Sequence, residues 1–142
     1  MIAPGSADIL VNDWVATQGG GKAEPGTYVA IGDWDLETKG WKGGLVFYRA
    51  TSETVWVNIA IRRGANPRLL LSTGLWYVFA QLSLPRLTFS IRSTNLSSIR
   101  LAQGLGATHE ATLHGIEPGC DTLFYQLSPD QCNLWRKLRG QR

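Results

Sequence analysis

The segment from Thr54 to Gly106 constrains the fold more than any other part of the chain. It opens with TVWVNIAIRR (54–63), where Val55, Val57, Ile59 and Ile61 alternate with Trp56, Asn58 and Ala60. A period of two is the mark of a strand. After GANP comes RLLLSTGLWYVFAQL (68–82), apolar on nearly every side, which predicts a helix buried against a sheet. Pro67 suits the first helical position, with Asn66 as its cap. Gly74 in mid-helix costs about 1 kcal/mol relative to Ala, a loss that close helix-to-sheet packing would offset. A second strand pattern follows in RLTFSIRS (86–93), with Leu87, Phe89 and Ile91 on one face. Asn95 then caps a helix whose apolar side is Leu96, Ile99, Leu101, Ala102 and Leu105, and Gly106 fits its left-handed stop.

The flanks complete the order. ADILVNDWVATQ (7–18) has helical apolar spacing at Ile9, Leu10, Trp14 and Val15, and GGGKAEPG (19–26) is a flexible break. Strands are predicted over 27–35, 41–51, 108–115 and 121–128, and a terminal helix over 129–139. The sum is α-β-β-β-α-β-α-β-β-α, a mixed α/β fold with helices on the faces of a mixed sheet. Its 142 residues suit one domain: an abbreviated N-terminal part (1–26), a core (27–128) and a C-terminal helix with a basic tail (129–142).

Charge is unevenly placed. Asp8, Asp13, Glu24, Asp33, Asp35, Glu37 and Glu53 fall in the first 53 residues, whereas 54–109 holds Arg62, Arg63, Arg68, Arg86, Arg92 and Arg100 and no acid. Such a block suits negative charge nearby. Arg136, Lys137, Arg139 and Arg142 close the chain, and read as a solvated end. Cys120 and Cys132 are expected as free thiols, His109 and His114 lack partners at zinc spacing, and no signal peptide or membrane-length apolar run is visible. A cytoplasmic protein without a metal site is expected.

A loop between a strand and a helix start is a ready anion site, because the first helical amides have no intrahelical partner. IAIRRGANPRLL (59–70) is such a place, flanked by Arg62, Arg63 and Arg68. It is neither GxxxxGK[ST] nor GxGxxG.

The run from VWVNIAIRRGANPRLLL through LTFSIRSTNLSSIRLAQGLGATHEATLHG resembles the acetyl-CoA-binding half of the GNAT superfamily of N-acetyltransferases. Within it, the likeness is to the subgroup of ribosomal-protein N-terminal acetyltransferases and compact phage-encoded relatives. The resemblance implies the GNAT fold with a shortened N-terminal region, acetyl-CoA as the cofactor, and direct transfer of its acetyl group to an amine. It places pantetheine beside the backbone of Ile59, Ala60 and Ile61, and the pyrophosphate at Arg63, Gly64, Ala65, Asn66, Arg68 and Leu69. Asn95 and Ser98 would reach the cofactor arm. Two catalytic positions depart from the pattern: Ala102 stands where many relatives carry a proton-donating Tyr, and Asn58 where many carry an acid. Tyr125, Glu110, His109 and Glu53 remain as acid–base candidates. The short N-terminal part implies an open groove, or one completed by a second subunit in a homodimer, and hence a protein or peptide acceptor. The alternative is an inactive GNAT-fold module that binds acyl-CoA or a protein partner. A nucleic-acid reading, from a pI near 9.1, ranks last because no RNP, KH or helix-turn-helix pattern is present.

Overall fold

The computed structural model describes residues 1–3, 7–19 and 21–140. The predicted order holds element by element: α1 (Asp8–Thr17), β1 (Tyr28–Asp35), β2 (Gly40–Tyr48), β3 (Thr54–Ile61), α2 (Arg68–Leu75), β4 (Arg86–Arg92), α3 (Leu96–Leu105), β5 (Thr108–Glu117), β6 (Cys120–Leu127) and α4 (Asn133–Gly140). One six-stranded sheet takes the order β1-β2-β3-β4-β6-β5. Neighbours are antiparallel except β3 and β4, which run parallel because a helix joins them.

The helices divide unequally between the faces. Val11 and Val15 of α1 pack with Ala30, Val46 and Ala60 on one side. On the other, α2, α3 and α4 bury Leu70, Leu75, Ala102, Leu105 and Trp135 against Val55, Val57, Phe89 and Leu127. The Gly43–Gly44 pair in β2 admits both layers. A Cβ on Gly43 would stand 2.7 Å from Leu70, and one on Gly44 2.8 Å from Val15, on the opposite face. Gly74 answers the expectation of close packing, since its Cβ would lie 2.4 Å from Leu45.

Three local expectations are corrected. Ile9 and Leu10 point outward, at 68% and 62% exposure, because the buried stripe of α1 is Val11, Asn12 and Val15. The long second helix is α-helical only to Leu75 and continues as a π-helix over Trp76–Gln81, and Leu69 and Trp76 face solvent. The break at 19–26 is pinned among its described residues: Asn12 donates to the Ala23 carbonyl (3.0 Å) and accepts from the Ala23 amide (3.1 Å).

Half of the arginine block is ion-paired. Arg62 pairs with Asp35, Arg86 with Glu53 and Arg92 with Glu117, so the acids missing from 54–109 arrive from outside that segment. Arg63, Arg68 and Arg100 are exposed. Arg142 lies outside the described residues. Among the described residues no helix is long and apolar enough to cross a membrane. Both cysteines are free.

Candidate active site

The parallel pair parts halfway along. β3 and β4 are in register from Thr54–Arg86 to Val57–Phe89, and no pairing follows. Asn58–Ile61 therefore present to β4 an edge without ladder bonds, and an extended ligand could take that place.

A cavity of about 830 Å³ fills the opening. That is the size of a small-molecule site. Tyr48, Trp56, Asn58 and Ser90 form its floor on the α1 face, and Thr122 and Phe124 of β6 extend it. The pinned loop, with Gly21, Lys22 and Glu24, makes the roof. Through the gap the cavity reaches Ile59, Ile91, Asn95 and Ser98.

Its walls are well ordered by contacts. Trp56 meets Phe124 edge-on at 5.2 Å, and Arg49 lies over the rings of Tyr48 and Trp56 at 5.8 and 5.5 Å. Arg92 donates through Nε to both carboxylate oxygens of Glu117 and through Nη1 to the Gly19 carbonyl (2.9 Å), tying β4 to β5 and to the end of α1. The Tyr48 hydroxyl donates to Asn58 Oδ1 at 3.2 Å. Burial pushes the Tyr48 phenol above its ordinary value of 10.0, while Arg49 and a hydrogen bond with Ser90 work the other way. Asn58 is buried, and its Nδ2 lies so close to Gly21 that a Cβ there would approach it to 2.9 Å.

Two helix starts border the open end. Asn95 caps α3 by accepting from the Ser98 amide (3.2 Å), as its sequence position predicts. Before α2, Asn66 Oδ1 accepts from the Arg68 amide (3.0 Å), and the Ala65 amide is held by the Arg62 carbonyl (2.9 Å). Among the described residues no hydrogen bond engages the amides of Leu69 and Leu70. Such amides at a helix start suit an anion.

No protein-family model and no curated protein matches the sequence. Solved structures do match. The chain is similar to a spermidine/spermine N-acetyltransferase from Vibrio cholerae, with TM-score 0.61 and 16% identity over 84% of this chain and 74% of that one. It is similar to a GCN5-related N-acetyltransferase from Brucella melitensis, with TM-score 0.65, 16% identity and 80% of this chain covered, although it spans only 57% of that protein. A putative acetyltransferase from Acinetobacter baylyi matches with TM-score 0.57 and 28% identity over 73% of this chain and 65% of that one. The chain has the GNAT acetyltransferase fold.

Within this GNAT fold the sequence-derived residues separate. Ile59, Asn95 and Ser98 line the cavity, and Ala60 and Ile61 continue the parted edge of β3. Arg63, Gly64, Ala65, Asn66, Arg68 and Leu69 lie outside the cavity, on the loop and helix start beyond β3. Arg62, expected to flank that loop, is held instead by Asp35 and Thr38 on the β1–β2 hairpin.

The acid–base candidates are not brought to the cavity. Tyr125 is 4% exposed and faces the α3–α4 side, because the pleat that turns Phe124 toward the cavity turns its neighbour away. His109 stacks on Tyr125 at 5.3 Å and contacts Thr112, while Glu110 sits at the β5 bulge, exposed on the edge strand. His109 pairs with Tyr125, which pairs in turn with Phe89 in the closed half of β4. Glu53 pairs with Arg86 before β3 begins. Ala102 is 0% exposed, so no side chain of that helix reaches the gap from there.

Tyr48 was absent from the sequence-derived set. Its signal is faint: an aromatic at the last position of β2, whose role depends on a register that places it opposite Trp56.

Proposed function

We propose that the chain is an N-acetyltransferase that moves an acetyl group from acetyl-CoA to the amine of a protein or peptide, with both bound at once. The parting of β3 and β4 after Val57 and Phe89 carries this reading. Acetyl-CoA would supply the acetyl group as an activated thioester. The backbone of Asn58–Ile61 would hold the pantetheine arm as a strand mimic, with Asn95 and Ser98 on its other side. The amides of Gly64, Leu69 and Leu70, with the side chains of Arg63 and Arg68, would take the pyrophosphate. The amine would enter from the α1 face, between the pinned loop and the aromatic floor of Tyr48, Trp56 and Phe124. The amine must be uncharged to attack, and that floor and roof would shield it in part from water.

The ribosomal-protein-like and phage-encoded subgroup, a cytoplasmic setting and a homodimer belong to the same proposal. The outward Ile9 and Leu10 of α1 favour a subunit contact beside the groove. The spermidine/spermine acetyltransferase among the structural neighbours makes polyamines the rival acceptors. Titration calorimetry with acetyl-CoA, followed by thiol release with N-terminal peptides and with spermidine, tests the reading. Binding with peptide-dependent thiol release is expected. No heat at millimolar acetyl-CoA would overturn it.

A second reading, a GNAT-fold module without catalysis, is favoured by buried Ala102 and by Asn58 in place of an acid. Binding of acetyl-CoA without release to any amine would select it.

A further inference from the structure

The cavity holds a hydroxyl at the point where the strands separate. Tyr48 projects from the end of β2 across β3, so its oxygen meets Asn58, the first β3 residue past the last paired one. Ser90, the first β4 residue past the last paired one, lines the same cavity. The phenol thus stands at the start of the gap.

We propose that Tyr48 is the catalytic proton donor, giving its hydroxyl proton to the sulfur that leaves when the acetyl group is transferred. This rests on the acetyltransferase reading. In the transfer the amine nitrogen gains a C–N bond to the acetyl carbon and the C–S bond breaks. The Tyr48 oxygen gives one proton to the departing sulfur and recovers one from the nitrogen, so the products are an amide and a thiol and no proton is consumed overall.

The surroundings suit both halves of that cycle. Asn58 Oδ1 accepts from the phenol at 3.2 Å, a long bond that is easily surrendered. The Ser90 hydroxyl and the Arg49 guanidinium favour the phenolate once the proton has gone, while burial keeps the resting group protonated. Tyr28 faces Tyr48 from β1, and Lys22, Glu24, Arg92 and Glu117 are the other charged groups around the cavity. Arg92 and Glu117 pair with each other and Lys22 with Asp13, and Glu24 sits on the roof loop, whereas the phenol is held at Asn58, where the strands part.

Three measurements on the full chain test the assignment. Calorimetry of the unaltered protein with coenzyme A and with desulfo-coenzyme A, which lacks the sulfur, should show coenzyme A binding about threefold more tightly, the worth of one neutral hydrogen bond between phenol and thiol. Tyr48→Phe should erase that preference while leaving the affinity for desulfo-coenzyme A unchanged. It should also lower kcat about 100-fold with KM for acetyl-CoA unchanged. Equal binding of the two ligands to the unaltered protein would overturn the assignment even if Tyr48→Phe does not fold. So would a folded Tyr48→Phe variant with full kcat. Failure of the unaltered protein to bind any of these coenzymes would instead remove the acetyltransferase reading, and the assignment with it.

Discussion

The two halves of the β3–β4 pair are built from the same strands and differ in almost every other respect. From Thr54 to Val57 the pair is laddered, joined by a Thr54–Thr88 hydroxyl contact of 2.7 Å, and backed by Val55, Val57, Leu87 and Phe89 in the core. From Asn58 to Ile61 the ladder stops and polar groups collect: Tyr48, Asn58, Ser90 and Arg92. The closed half bears packing energy, and the open half leaves a strand edge to be satisfied by something else. Pinning at the far end keeps it open. Arg62, just past β3, is bound to Asp35 and Thr38 and holds that strand to the β1–β2 hairpin, away from β4.

Substitutions should therefore act differently in the two halves. Phe89→Ala empties a site that is 1% exposed in the closed half, and should cost about 3–5 kcal/mol in urea or thermal unfolding. A cost below about 1 kcal/mol would mean that this half is not the packed one. Asn95→Ala at the open end removes a cap and should cost about 1 kcal/mol. Its larger consequence should be weaker acetyl-CoA binding by calorimetry, whereas Phe89→Ala should leave the affinity of the folded fraction intact.

The smallest effect concerns pH. The Arg62 guanidinium beside Asp35, helped by Thr38, lowers the carboxyl from 3.8 to about 2. A depressed carboxylate contributes stability above its unfolded value, and that contribution is lost as pH falls through about 2. Between about pH 4 and 2 the far end of β3 should therefore loosen in amide exchange before the closed half does. Asp35→Asn should lack this step, and an identical acid profile in both proteins would show that the pin is idle.

Most of this architecture was legible in the sequence, because it depends on local signals. The Asn95 cap, the Gly106 stop at φ 101° and the Gly74 contact each follow from one residue and its neighbours. What escaped notice depends on partners far away in the chain. Arg62, Arg86 and Arg92 take their partners, Asp35, Glu53 and Glu117, from outside the acid-free segment 54–109. Tyr48 became a site residue only through the β2–β3 register, and the Phe124–Tyr125 parity moved Tyr125 to the opposite face. One residue of register decides which face a strand side chain meets, and a single sequence carries little of that information.

Amide hydrogen exchange with and without acetyl-CoA tests the central claim most directly. The open half of β3 is predicted to bind the coenzyme, so added protection should concentrate in Asn58–Ile61 and in the first turns of α2 and α3, with Thr54–Val57 unchanged. Protection confined to other segments, or none at saturating acetyl-CoA, would contradict it.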